Sequence, residues 1–305
     1  MDKRSIIYST LVLAIMVIIG AGMIYFFGRS NVNVPPEQPD THKEEIIKTP
    51  LDAPLKSSES IGTSVEGRDI EVYRFGTGKT QLLFVGGIHG GYEWNSVLLA
   101  YAFIDYFTEH PENIPQNVTV HIIPSANPDG VFAVMGKEGR FRTEDAELTS
   151  SQASGRFNAH AVDLNRNFDC KWKPKSMWQG KEVSAGTEAF SEPEARTIRE
   201  YVLAQRPDAV VFWHSQSNAV YASECTEGIL PATRTLMQTY ATASGYKPVD
   251  TFDAYPITGD AEGWLASIGI PAITVELATH KSIEFEKNRA GLEAVFAYYT
   301  ETLNR

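Results

Sequence analysis

The chain has 305 residues, 43% of them hydrophobic, which is enough for a sizeable buried core in one large domain or two small ones. Its formal charge of −11 and lack of any Lys/Arg cluster argue against a nucleic-acid partner, because binding a polyanion rests on clustered cations. Two cysteines, Cys170 and Cys225, are too few for a disulfide scaffold or a cysteine-rich zinc module, and they pair only if the domain lies in an oxidising compartment.

In chain order, the run SIIYSTLVLAIMVIIGAGMIYFFG (residues 5–28) carries no charge over 24 residues, and a bilayer span takes roughly 20. It predicts a transmembrane anchor. Lys3 and Arg4 before it and Arg29 after it place residues 1–4 in the cytoplasm and the remainder outside. A cleaved signal peptide has an apolar region of only about 7–15 residues, so the length favours an uncleaved anchor. Residues 29–57, rich in proline and charge, read as an extended linker, and residues 58–305 as one domain without internal repeats.

Within that domain, apolar runs rich in branched residues predict strands at 81–88, 117–124, 208–214 and 271–277. Helical periodicity predicts helices at 96–107, at 191–205 with Ser191 and Glu194 as a capping box, and at 283–303. The alternation predicts an α/β fold, a central mixed but mostly parallel twisted sheet flanked by helices.

His89 ends the first strand, Glu93 begins the following helix, and His214 closes VVFWH. Ligands gather at the carboxyl ends of strands in open α/β sheets, so these three are candidates to converge on one ion. Two His and one Glu with an open fourth position make a catalytic zinc site. The bland alternative is a satisfied polar histidine, the reading kept for His42, His110, His121, His160 and His280. Glu276 stands at the end of an apolar strand, where an unpaired charge costs several kcal/mol; a carboxylate there suits a general base. GTGKT (76–80) is not a phosphate loop, since Tyr73 stands where its first glycine belongs and a strand follows rather than precedes it. No GxSxG segment supports a serine hydrolase.

The segments IGTSVEGRDI, GGIHGGYE, NPDG (127–130), GRFNAHAVDLNRNFD (155–169), SEPEA, FWHS, AYPITGDAEGW and ITVEL occur in an order and spacing that resemble a zinc metallocarboxypeptidase of the carboxypeptidase A/B type, over about residues 60–300. The resemblance implies that family's fold, one zinc ion held by His89, Glu93 and His214, and Glu276 as the base that activates water. It implies Arg156, nine residues before Asn165, as the cation facing the oxyanion, with Arg142 as the alternative. Asn165 and Arg166 match the pair that holds a substrate's terminal carboxylate, a task suited to a planar guanidinium. Tyr255 matches a mobile tyrosine that closes over substrate. Glu262 falls at the floor of the side-chain pocket, favouring terminal Lys, Arg or the amino end of diaminopimelate; the alternative is a surface glutamate in a first helical turn beside Asp260. One departure stands out: HGGYE has three residues between His89 and Glu93 where the family has two, which a bulge at Gly90 and Gly91 would absorb.

The resulting expectation is an anchored, outward-facing, monomeric zinc carboxypeptidase acting on peptides. Its alternatives are a cell-wall amidase cutting stem peptides at diaminopimelate and a non-catalytic peptide-binding module. About 28 polar linker residues are too few for a folded pro-domain, so activity without processing is expected.

Overall fold

The computed structural model describes residues 58–147 and 153–302; the expected anchor and linker lie outside the described residues. Strands β1 (Glu59–Thr63), β2 (Asp69–Gly76) and β3 (Thr80–Val85) lead into helix α1 (Trp94–Glu109), β4 (Val118–Ile123), α2 (Pro128–Met135) and a short α3 (Thr143–Glu147). A hairpin of β5 (Lys175–Trp178) and β6 (Lys181–Ser184) precedes α4 (Pro193–Gln205), β7 (Ala209–Ser215) and β8 (Ala219–Ala222). The chain continues with β9 (Glu224–Cys225), β10 (Gly228–Ile229), α5 (Pro231–Ser244), β11 (Lys247–Val249), α6 (Ala261–Ser267), β12 (Ala272–Leu277) and α7 (Phe285–Thr302).

Eight strands form one sheet in the order β1-β2-β4-β3-β7-β12-β8-β11. The sheet is mixed as expected. Its four parallel pairings occupy β4-β3-β7-β12 at the centre and β8-β11 at one edge, and three antiparallel pairings make up the rest. Every residue of β4 and β7 is buried, the mark of strands covered on both faces. Alternate side chains go to opposite layers. Leu82, Phe84, Val120, Ile122, Val211 and Trp213 join the core under α1, α5 and α7, which contribute Phe103, Tyr240 and Phe296. Leu83, Val85, Val210 and Phe212 face the other way, onto Ile198 and Val202 of α4 and Leu265 of α6. Trp213 is fully buried between the rings of Phe84 and Phe103, at 5.4 and 5.3 Å.

The capping box at Ser191 and Glu194 does not form. The N-cap of α4 is Glu192, followed by Pro193 at N1, which has no N–H to satisfy. Glu194 is instead drawn to a neighbouring loop, accepting from Val65 N and from Asn158 Nδ2, both at 3.1 Å.

Cys170 and Cys225 are disulfide-bonded, with Cα atoms 5.9 Å apart across a sequence separation of 55. The bond ties the loop after residue 167 to β9 beside the sheet's carboxyl edge. Loop-closure entropy for that separation is worth about 4 kcal/mol. Reduction, or Cys225→Ser, is therefore expected to lower the melting temperature by roughly 10 °C in a calorimetric scan; an unchanged melting temperature would mean that the link adds nothing.

Candidate metal centre and active site

Three neighbouring parallel strands, β3, β7 and β12, end at the same edge of the sheet and deliver the first groups. His214 is the penultimate residue of β7, and Glu276, in register with it, is the penultimate residue of β12. Beyond β3 the chain turns through His89 into a single 3-10 turn, Gly90–Glu93, before α1 begins. Here lies the answer to the long His89–Glu93 spacing. Gly90 has φ +46, and a Cβ on it would come within 2.6 Å of Gly155 O; one on Gly91 would come within 2.6 Å of Val134 Cβ. The two glycines let the extra residue coil tightly against α2, so that Glu93 still turns back toward His89.

His89, Glu93 and His214 are all buried, and each offers a ligand atom within 4.8 Å of the others. Glu93 Oε2 lies 3.1 Å from His214 Nδ1 and accepts from Ser215 N at 3.1 Å, while Oε1 lies 4.0 Å from His89 Nε2. Carboxylates stand behind both imidazoles. Asp163 Oδ1 is 3.6 Å from His89 Nδ1, and Glu262 Oε1 is 3.2 Å from His214 Nε2. Such partners orient a ligating histidine and raise its basicity. Two imidazoles and one carboxylate with supporting carboxylates fit a zinc ion with an open coordination position.

The charges of the site act on one another. Burial lowers the His89 imidazole well below its usual value, and the Arg156 guanidinium adds to this. Burial also works against a charged His214, but Glu93 and Glu262 on its two nitrogens outweigh that and raise it to about 10. Burial, reinforced by the Glu93 charge, pushes the Glu276 carboxyl up to about 8, and its Oε2 has no hydrogen-bond partner. A cation in the site would favour the ionised form of Glu276.

A cavity of about 500 Å³ opens over these groups, and it is lined by all nine residues singled out from the sequence: His89, Glu93, Arg156, Asn165, Arg166, His214, Tyr255, Glu262 and Glu276. Arg156 is buried, paired through Nε and Nη2 with Asp163 Oδ2 at 2.9 Å, and carries Nη1 to 3.6 Å from Glu93. Arg142 is exposed and is not among the cavity residues, so the alternative for the oxyanion cation falls away. Arg166 donates through Nη1 to Asn165 O and through Nη2 to Met177 O, while its buried Nε has no partner. Asn165 Oδ1 accepts from Ala261 N at 2.8 Å, fixing the start of α6. Glu262 is not a surface residue. It is 3% exposed, takes a hydrogen bond from Thr274 Oγ1 at 2.9 Å, and leaves the N-cap of α6 to Asp260.

Two of the histidines read as bland behave so: His121 is held between Tyr201 and Gln81, and His110 is half-exposed beside Glu112. His280 does not, because it lines the cavity. Asp163 was also missed, although an acid flanked by the apolar Val162 and Leu164 signalled a buried partner. GTGKT forms the tight turn from β2 to β3, remote from phosphate chemistry.

A family model described as zinc carboxypeptidase matches residues 54–298. Carboxypeptidase B of Astacus astacus is 28% identical over 173 residues, 53% of this chain and 55% of that protein. Gamma-D-glutamyl-L-diamino acid endopeptidase 1 of Lysinibacillus sphaericus is 23% identical over 257 residues, 77% of this chain and 64% of that protein. The chain thus spans between about half and two thirds of the length of these two relatives. Among solved structures, bovine thrombin-activatable fibrinolysis inhibitor in complex with tick carboxypeptidase inhibitor superposes with TM-score 0.65 at 19% identity, over 81% of this chain and 91% of that one. The murein-tripeptide amidase MpaA of Escherichia coli O157 gives TM-score 0.58 at 20% identity, over 81% and 93%. At these identities the superpositions establish the fold.

Proposed function

The chain belongs to the zinc carboxypeptidase family, and from that premise we propose that it is a zinc-dependent exopeptidase releasing C-terminal residues from peptides. The observation that carries the reading is the convergence, in one cavity, of the buried His89–Glu93–His214 set with Glu276 and with the partly unpaired Arg166 guanidinium. Those three residues would hold a zinc ion, which when bound would supply an acidified water and a polarised scissile carbonyl. Glu276 Oε2 takes the proton of the attacking water and passes it to the leaving amine. Arg156, locked by Asp163, presents a fixed cation where negative charge develops. Asn165 and Arg166 receive the terminal carboxylate, and Tyr255, packed on Phe252 at 4.8 Å, closes over it.

Glu262 is a buried acid on the cavity wall and favours a cationic terminal side chain, Lys or Arg. In a panel of peptides ending in Lys, Arg, Leu and Phe, the basic termini are expected to be cleaved best, and Glu262→Gln to reduce that preference ~10-fold, measured as the ratio of kcat/KM between basic and apolar termini so that any general loss through His214 cancels. A preference for Phe would remove Glu262 from this role, and cleavage of C-terminally amidated peptides as fast as free acids would remove Arg166 from its own.

A second reading is favoured by one observation. A relative that matches 77% of this chain carries a name describing cleavage beside a diamino acid, whose amino end would suit the same acid. Stem peptides containing diaminopimelate, digested and weighed by mass spectrometry, separate the two readings by which bond is cut. A merely peptide-binding module would need a missing ligand or base, and this chain keeps them all.

We further propose that residues 5–28 hold the domain outside the membrane. The uncharged run and the disulfide between Cys170 and Cys225 support that placement. Among the described residues no helix is long and apolar enough to cross a membrane.

A further inference from the structure

The first turn of α1 carries a side chain that joins the separate pieces of the metal centre. Asn95, the second residue of that helix, is fully buried. Its Nδ2 lies 2.6 Å from Thr279 O and 2.9 Å from Ser282 O. Carbonyl oxygens only accept, so this end of the amide is the NH2 group and both of its protons are used. Oδ1 is left as the acceptor, and Ser215 Oγ donates to it at 2.9 Å.

These three bonds run to the segments that bear the reacting groups. Asn95 stands two residues after Glu93, Ser215 directly follows His214, and Thr279 and Ser282 belong to the loop that leaves β12 after Glu276. Ser215 also donates its backbone N–H to Glu93 Oε2 at 3.1 Å, so it holds the carboxylate with its amide and Asn95 with its hydroxyl. Ser96, next on the helix, extends the frame toward β3: its Oγ accepts from Gly87 N at 3.1 Å and donates to Glu93 O at 2.7 Å. The residues assigned to the substrate's carboxylate are tied elsewhere, Asn165 to Ala261 and Arg166 to Met177. A leucine would fill the same volume without burying an amide. The amide, bonded in three directions, fixes how far α1, β7 and the loop after β12 stand from one another.

We propose that Asn95 is a positioning residue for hydrolysis, setting the separation of Glu93 and His214 from the base Glu276. It is not among the cavity residues and so acts only through these segments. The inference rests on the zinc carboxypeptidase reading of the site.

Two variants test it in the full-length protein carrying one zinc ion. Asn95→Leu removes all three bonds, and Ser215→Ala removes only the link to β7 while leaving the residue 215 N–H on Glu93. In Asn95→Leu, kcat is expected to fall roughly 10- to 100-fold, as for reacting groups misplaced by about 1 Å. Ser215→Ala is expected to lose about three- to tenfold, as for one net hydrogen bond. KM should move less than about threefold in either, because Asn165 and Arg166 keep their own supports. Cobalt in place of zinc gives a readout apart from turnover: its visible absorption bands follow ligand geometry and are expected to shift in both variants. Phe296→Leu, a core change on α7 away from the cavity, is expected to lower the melting temperature but keep wild-type kcat and cobalt bands, which separates positioning from lost stability. Wild-type cobalt bands in Asn95→Leu, kcat within about twofold of wild type, or the same changes in Phe296→Leu would overturn the role of Asn95. If Asn95→Leu does not fold, the same readings on Ser215→Ala decide. A wild type that binds cobalt yet hydrolyses no peptide would count against the carboxypeptidase reading, and the cobalt bands alone would then decide the role of Asn95.

Discussion

Replacing Glu276 by Gln is expected to lower kcat/KM by roughly a thousandfold while the protein keeps one zinc ion, as for the loss of a general base. The exchange keeps shape and volume, so neighbours on β12 and β7 need not move. What it removes is a basic oxygen. Oε2 is buried, lacks a protein partner and lines the cavity, which leaves it committed to nothing but a proton from bound water. A structural explanation of lost activity is separable by stability. Burial raises this carboxyl to about 8, so in the metal-free protein its ionisation is disfavoured on folding, and stability attributable to it falls as pH climbs from its ordinary value of 4.5 toward 8. An uncharged amide escapes that cost, and the melting temperature of metal-free Glu276→Gln at pH 8 should match or exceed that of the wild type. Near-normal turnover in this variant would remove Glu276 as the base and revive a peptide-binding role.

Zinc withdrawal carries the second large effect. A chelator is expected to abolish hydrolysis by the wild type, and added zinc to restore it. In Glu93→Ala, metal affinity should fall by more than roughly a hundredfold, beyond what loss of a supporting partner costs, leaving no stoichiometric zinc by elemental analysis. Glu93 is the one carboxylate of the buried triad, with an oxygen toward each imidazole and toward Arg156. Without it, two histidines face Arg156 across a site with no negative ligand. Activity indifferent to chelation would refute a zinc mechanism, and full zinc occupancy in Glu93→Ala would mean that another residue completes the set.

Strands β3, β4, β7 and β12 were legible because uninterrupted branched apolar runs have few other uses in a fold of this size. Strands β1, β8 and β11 were not, being short, partly exposed edge or near-edge segments whose pairing depends on a partner far away in sequence. The box at Ser191 and Glu194 had a correct local pattern and lost to tertiary competition, since Val65 and Asn158 offered Glu194 better use. Arg156 was preferred to Arg142 on its spacing from Asn165, and burial against Asp163 at the cavity set it apart from the exposed Arg142.

By itself the amino-acid sequence determined the central strands, their α/β alternation, the His89, Glu93 and His214 set, Glu276 and the family resemblance, because these depend on residue type, order and short-range period. Tertiary structure alone decided how Gly90 and Gly91 absorb the long His89–Glu93 spacing, that Cys170 meets Cys225, that Glu262 is buried behind His214, and that His280 reaches the cavity. Each of these rests on groups brought together from separate strands and loops, where distance and the direction of a hydrogen bond, rather than the identity of a residue, set its chemistry.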